Sequence, residues 1–150
     1  TVILNLPAGL GSPMFNSVES RISAFAFSIP AVKGIEFGSG FNLASLRGSE
    51  ANDEFYIAEE NGKRIIRTRT NHSGGINGGI TNGMPVIFRT CIKPTATISK
   101  PQHTIDVSVM EETEHVFKGR HDPCIAVRAV PVLDAAAALV VMDLLLERRE

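Results

Sequence analysis

Pro131-Val132-Leu133-Asp134-Ala135-Ala136-Ala137-Ala138-Leu139-Val140-Val141-Met142-Asp143-Leu144-Leu145-Leu146-Glu147-Arg148-Arg149 is the stretch whose reading decides the fold. Between Val132 and Leu146 only Asp134 and Asp143 are charged, so a helix here is apolar nearly all round. That pattern predicts a buried core helix, and the run reads as too short and too interrupted to cross a bilayer. The rest of the chain must supply what covers it.

Just ahead lies Gly119-Arg120-His121-Asp122-Pro123-Cys124, followed by Arg128-Ala129-Val130-Pro131. A guanidinium, an imidazole and a carboxylate stand in three consecutive positions. Arg120 can grip a phosphate or carboxylate bidentately, and Asp122 can accept or relay a proton. The same Asp-Pro pair is also an Ncap–N1 signature, in which the carboxylate only caps orphan N–H groups. On spacing alone the cap is the favoured reading. His121 reads equally as an acid/base, a phosphate donor or a surface ring.

Two further stretches accompany this one. Thr70 to Gly83 holds glycines at 74, 75, 78, 79 and 83, which let backbone approach a ligand or another backbone closely. It lacks both the Lys-Ser/Thr of a P-loop and the spacing of a dinucleotide turn, so a tightly packed glycine hairpin is an equal reading. Lys93, Thr95 and Thr97 set an ammonium and hydroxyls at alternate positions, which suits a phosphate or a flavin edge; a solvated strand end is the plain alternative. Together the three stretches point to a phosphorylated ligand.

Further upstream, Thr1 to Leu6 reads as a strand closed by Pro7-Ala8-Gly9. Ser12-Pro13 reads as a helix start, with Phe15, Val18, Ile22, Phe25 and Ile29 as its apolar stripe and Pro30 as its stop. Val32 to Leu46 predicts one or two strands with a turn near Ser39-Gly40. Gly48 to Lys63 is polar, acidic and aperiodic, and reads as a mobile surface loop. Strands are expected over Arg64 to Arg69 and Met84 to Ile92, and a hairpin from Thr104–Val109 with Thr113–Lys118. The fold class is α+β, one domain over residues 1–150, with helices covering a mainly antiparallel sheet.

Composition limits the partners. Fifteen basic and sixteen acidic residues give a net charge of −1, which argues against a general nucleic-acid binder. His72, His103, His115 and His121 form no metal-ligand spacing, so no zinc site is expected. Cys91 and Cys124 lack a paired base and read as small core residues in a reducing, cytoplasmic setting. The chain opens on Thr1 and runs straight into Val2-Ile3-Leu4, which reads as a piece of a larger enzyme.

Read in order, these stretches resemble the chorismate synthases, specifically the second half of such an enzyme. The matching blocks are Leu6-Pro7-Ala8-Gly9-Leu10-Gly11, Ser28-Ile29-Pro30-Ala31-Val32-Lys33-Gly34 and Leu46-Arg47-Gly48-Ser49. They continue through Asn71-His72-Ser73-Gly74-Gly75-Ile76-Asn77-Gly78-Gly79-Ile80, Lys93-Pro94-Thr95, the Gly119–Cys124 stretch and Arg128–Pro131. The resemblance implies a β-α-β sandwich, with helices lying between mainly antiparallel sheets, assembled as a homotetramer.

It also implies a carbon–oxygen lyase acting on a phosphate. Such an enzyme converts 5-enolpyruvylshikimate 3-phosphate to chorismate by trans-1,4 elimination, the last step of the shikimate pathway to the aromatic amino acids. Reduced FMN is required without net redox change, and NADPH where the enzyme reduces its own flavin. Carried over by position, Pro30, Ala31, Gly78, Lys93, Pro94, Thr95, Ala96, Thr97 and Arg120 would line the flavin site. Arg120 would also bind substrate, and Asp122 would manage the proton at the flavin's reactive nitrogen. No membrane or nucleic-acid partner is implied.

Two departures accompany the resemblance. Ala96 stands where the family commonly has serine. The family's Gly-Glu-Ser-His-Gly motif, its second acid histidine and most substrate-binding arginines have no match, so an N-terminal half is an expected partner and this chain alone is expected to be inactive. The rival readings are a non-catalytic flavin- or phosphate-ligand-binding module and an inert piece of fold.

Overall fold

A computed structural model of the chain describes residues 1–122 and 124–148. Its centre is a three-stranded antiparallel sheet in the order β1 (Val2–Ile3), β7 (Val86–Ile92), β2 (Val32–Phe37). Three two-stranded hairpins accompany it among the described residues: β3 (Phe55–Glu60) with β4 (Lys63–Thr68), β5 (Ile76–Asn77) with β6 (Ile80–Thr81), and β8 (Gln102–Asp106) with β9 (Glu111–His115). Every pairing is antiparallel, as the α+β reading requires.

Two helices, α1 (Val18–Ser28) and α3 (Ala126–Glu147), share one core with the sheet. Val18, Ile22 and Ala26 recur every four residues on α1, and Leu133, Ala137, Val140 and Leu144 form the matching stripe on α3. Both stripes meet Val86 and Phe88 of β7. Phe88 is 1 % exposed and sits with its ring centroid 5.9 Å from that of Phe37. Arg21 ties the helices at their far end, donating from both Nη atoms to Glu147 at 2.7 and 2.5 Å, with Asp143 3.3 Å away.

Helix α1 begins at Val18, not at Ser12-Pro13. Residues 12–16 close a small loop through Ser12 N–H donating to Asn16 C=O at 3.0 Å. Ser17 is the cap, its hydroxyl accepting from Ser20 N–H at 3.0 Å, and Val18 N–H donates to Gly79 C=O at 3.0 Å. Phe15 is therefore outside the stripe, and Phe25 lies at its exposed edge. Ile29 takes an extended conformation before Pro30, and the helix ends there.

Other expectations change in the same local way. Only β2 forms between Val32 and Leu46, followed by a 3₁₀ turn over Gly40–Ser45. Glu36 holds that turn by accepting from Phe41 N–H at 3.1 Å. Gly48 to Lys63 is not an irregular loop: it carries the short helix α2 (Gly48–Ala51), then β3, then the turn into β4. Asn61 and Gly62, both at positive φ, make that two-residue turn. Strand β8 stops at Asp106, so Val107 and Val109 fall in the turn and are exposed.

The terminal helix starts at Ala126, five residues ahead of Pro131, which sits inside it. Pro131 removes one backbone bond to Val127, a residue on the solvent side at 77 % exposure, where water can satisfy the freed carbonyl. At 22 residues the helix is long and apolar enough to span a bilayer, contrary to the expectation of too short a run. Nor is it buried all round. Val127, Val130, Val132, Leu139, Met142 and Leu146 leave an exposed apolar face.

The glycine-rich segment crosses the end of β2 and β7. A Cβ on Gly38 would lie 2.1 Å from His72 C=O and 2.4 Å from Gly74 N, so this crossing admits no side chain. Asp53 fixes it from below. The carboxylate is 6 % exposed and accepts from Thr70 Oγ1 at 2.6 Å, His72 N–H at 2.7 Å and Ser73 N–H at 2.8 Å. Burial pushes its pKa up, but these donors together outweigh burial and hold it below the ordinary value.

Candidate active site

Helix α1 ends at Ser28, and Pro30-Ala31 turns the chain back into β2. Ala31 sits at φ +70°, a left-handed conformation that costs an alanine about 1 kcal/mol. Its carbonyl accepts from Lys93 N–H at 2.7 Å, extending the β2–β7 pairing by one rung beyond Val32↔Ile92. The start of the Lys93–Thr97 run is thereby pinned to the Pro30-Ala31 turn.

Beyond Lys93 the backbone leaves the sheet and meets the stretch before α3. A cleft of about 400 Å³ opens there, lined by Thr95, Thr97, Ile98, Ser99 and Gly119–Asp122. Two stretches far apart in sequence, each picked out for phosphate chemistry, thus form one wall. Thr95 Oγ1 is buried and has no hydrogen-bond partner among the described residues. A neighbouring strut, Gln102 Nε2 donating to Ala96 C=O at 2.9 Å, ties the run to β8.

Asp122 does not cap α3. The cap position is Ile125, with no side-chain cap bond, because the helix begins three residues later than an Asp-Pro start requires. The Asp122 carboxylate instead lies 2.9 Å from Arg128 Nη1, in the first turn of the helix. Pro123, the other half of the expected cap signature, lies outside the described residues. Arg120 and His121 are exposed at the rim. A cation, a carboxylate and two threonine hydroxyls around one cleft can bind an oxyanion and handle a proton beside it.

Gly78 is not part of this cluster. It forms the tip of the β5–β6 hairpin, which packs through Gly79 against the N-terminus of α1, whereas Ala31 follows the opposite end. The helix has 11 residues, so about 16 Å separates those ends. A Cβ on Gly78 would meet nothing within 4 Å, so its φ of +58° asks for glycine while packing does not. Cys91 and Cys124 are exposed free thiols rather than core residues. Among the described residues no group of histidines, cysteines and carboxylates has metal-binding geometry.

Among the described residues Arg128 is the charged contact of Asp122, and spacing did not reveal it. It lies six positions on, across a helix start that the Asp-Pro reading places elsewhere. Ile98 and Ser99 were also missed, for they join the cleft only because the chain bends after Thr97.

An α+β body with a cleft beside its last helix, lined by an arginine, a carboxylate and two threonines, is a class with many possible activities. The comparisons narrow it. The family model for chorismate synthase matches residues 1–146, and the chain belongs to that family. A chloroplastic chorismate synthase of Capnoides sempervirens is 52% identical over 145 residues, covering 97% of this chain and 32% of that protein. The chorismate synthase of Methanothermobacter thermautotrophicus is 50% identical over 142 residues, covering 95% and 37%. A solved chorismate synthase structure superposes with a TM-score of 0.70 at 35% identity, over 98% of this chain and 36% of that one. The chain spans about a third of the length of these relatives.

Proposed function

We propose that this chain carries part of the active site of a chorismate synthase, with the Thr95–Thr97/Arg120–Asp122 cleft as its share of the chemistry. The enzyme would eliminate inorganic phosphate from 5-enolpyruvylshikimate 3-phosphate: the C3–O bond breaks, the C6 hydrogen leaves, and a new double bond completes chorismate. The observation that carries this reading is the cleft itself, where two separated stretches meet around a hydroxyl that lacks a partner among the described residues.

Reduced FMN fits these residues. The orphaned Thr95 Oγ1 offers a polar contact and Thr97 lines the cleft beside it, whereas Lys93, Pro94 and Ala96 adjoin them in the chain without lining the cleft and enter the cofactor set by resemblance. Ala31 and Pro30 stand beside Lys93 through the Ala31 carbonyl. When bound, the reduced flavin supplies the electron-rich group that assists departure of phosphate. Gly78 enters the cofactor set by resemblance only.

The chain's own residues divide the remaining work. Arg120 presents guanidinium N–H groups to an anionic oxygen, of substrate or cofactor, as a planar fork. Asp122 has one oxygen, Oδ2, engaged by Arg128, so Oδ1 is the atom available to hold and return a proton. The exposed apolar face of α3 suits a second layer of protein, supplied by sequence that the longer relatives have. We further assign a homotetramer, a cytoplasmic setting consistent with two free thiols, and NADPH where the flavin is reduced by the same enzyme.

An anaerobic titration with reduced FMN tests the site. Arg120→Ala should weaken flavin affinity by about tenfold, the scale of one charge-assisted contact. Affinity unchanged in Arg120→Ala, in a protein that binds FMN, would remove this cleft from the cofactor site.

A further inference from the structure

We infer that Gln102 is a positioning residue of the cleft: its side-chain amide fixes the wall that carries Thr95 and Thr97. The inference rests on the cleft reading above. It adds a residue that neither lines the cleft nor belongs to the stretches read for phosphate chemistry.

Strand β7 ends at Ile92 and β8 begins at Gln102, so the wall between them has no ladder of its own. Among the described residues two hydrogen bonds hold it. Lys93 N–H donates to Ala31 C=O at 2.7 Å, and Gln102 Nε2 donates to Ala96 C=O at 2.9 Å. Pro94 lies between these two points, with φ set by its ring and no N–H to give. Thr95 therefore stands between a fixed φ and a held carbonyl. Without the amide, Lys93 is the last pin before β8.

Gln102 also belongs to the rung that joins the two walls. It pairs with His115, at the open end of the β8–β9 hairpin. One wall ends at Ser99, three residues before Gln102, and the other begins at Gly119, four residues after His115. The cleft thus lies between the two legs at the base of one hairpin. Directly opposed residues share a face, so the Gln102 and His115 side chains lie on the same side. There the His115 ring meets that of Phe117 edge to face, with centroids 4.8 Å apart. Every other residue of β8 and β9 is exposed, which leaves half-buried Gln102 as the foot of these strands on the wall.

A primary amide suits this post. It is uncharged and keeps its donor at every pH, and a backbone carbonyl accepts from it whatever side chain stands at position 96. Alanine in place of the family's usual serine leaves the strut intact. The spacing of the walls matters because Arg120 and the threonines can grip one anion only together. A misplacement of about 1 Å is enough to spoil such a site.

Two variants test the strut. Gln102→Met keeps the length and removes the N–H; Gln102→Glu keeps the shape and replaces the donor with an acceptor. His103→Ala, on the opposite and exposed face, is the control. Circular dichroism confirms folding, and backbone NMR relaxation on the full chain reads the wall. Both Gln102 variants should lower the order parameters of 95–97 below about 0.6, while β7 stays near about 0.85. In anaerobic titrations with reduced FMN both should weaken affinity by about three- to tenfold, the scale of one hydrogen bond. His103→Ala should change neither reading.

Order parameters that ignore both Gln102 variants overturn the inference, as does an equal loss in His103→Ala. A mobile wall with unchanged flavin affinity, while Arg120→Ala weakens it, overturns the positioning role and leaves the cleft reading standing. Flavin affinity indifferent to Gln102→Met and Arg120→Ala alike, or a wild-type chain that binds no reduced FMN, removes the cleft reading and the positioning role with it.

Discussion

Arg128 Nη1 lies 2.9 Å from Asp122 Oδ2, bridging the stretch before α3 to the helix's own first turn. The pair engages one carboxylate oxygen, and Oδ1 has no ion-pair partner among the described residues. Its worth is positional, since Arg128 is 72 % exposed and exposed ion pairs contribute about 0–1 kcal/mol.

Arg128→Gln should therefore barely change thermal stability. Amide exchange over 119–122 should nonetheless quicken, and Arg128→Lys should restore part of the protection. A double-mutant cycle with Asp122→Asn, read as flavin affinity, should show that Arg128→Gln has an effect only while Asp122 is present. Additive effects would mean that Arg128 acts on something else.

Asp53 is a stability residue with a defined pH signature. Asp53→Ala orphans two backbone N–H groups and a hydroxyl beneath the glycine crossing, and should cost about 3 kcal/mol by denaturant titration. Because the folded pKa lies below the ordinary value of 3.8, the stabilisation is fully present above that pH. It is lost as pH falls through the lower folded value. The acid limb of the stability curve should flatten in Asp53→Ala, and an unchanged limb would show that the crossing stands without the carboxylate.

Ala31 offers a test of the turn that pins Lys93. A β-branched side chain at φ +70° is more strained than alanine, so Ala31→Val should destabilise by about 1–2 kcal/mol and displace the run that follows Lys93. Ala31→Gly suits the conformation and should be close to neutral, relief of strain offsetting the freer unfolded chain. Equal loss in both variants would point to the methyl group instead.

The sequence shows the α+β class and the two packed helices because their apolar residues repeat along a face. It misplaces helix starts because local signals recur: Ser12-Pro13 and Ser17 both offer a cap, and only the bond from Val18 N–H to Gly79 C=O selects the second. Asp122-Pro123 fails as a cap because the helix begins at Ala126, with Ile125 in the cap position. Asn61-Gly62 was a readable hairpin turn, hidden by the acidic residues around it. Within the site, Thr95 and Arg120 are legible as phosphate chemistry, but their meeting in one cleft is tertiary. Arg128 has no local signal.

The most direct measurement is turnover. The chain would be combined with the portion of the Methanothermobacter relative that it does not match, since the matched region is only 37% of that protein. Chorismate and phosphate release from 5-enolpyruvylshikimate 3-phosphate would then be followed anaerobically with reduced FMN. The account predicts turnover with the wild-type chain and a fall of about 10²- to 10⁴-fold with Asp122→Asn, the range of a proton-transfer group. A folded, flavin-loaded assembly that is inactive, or whose rate ignores Asp122, would contradict it.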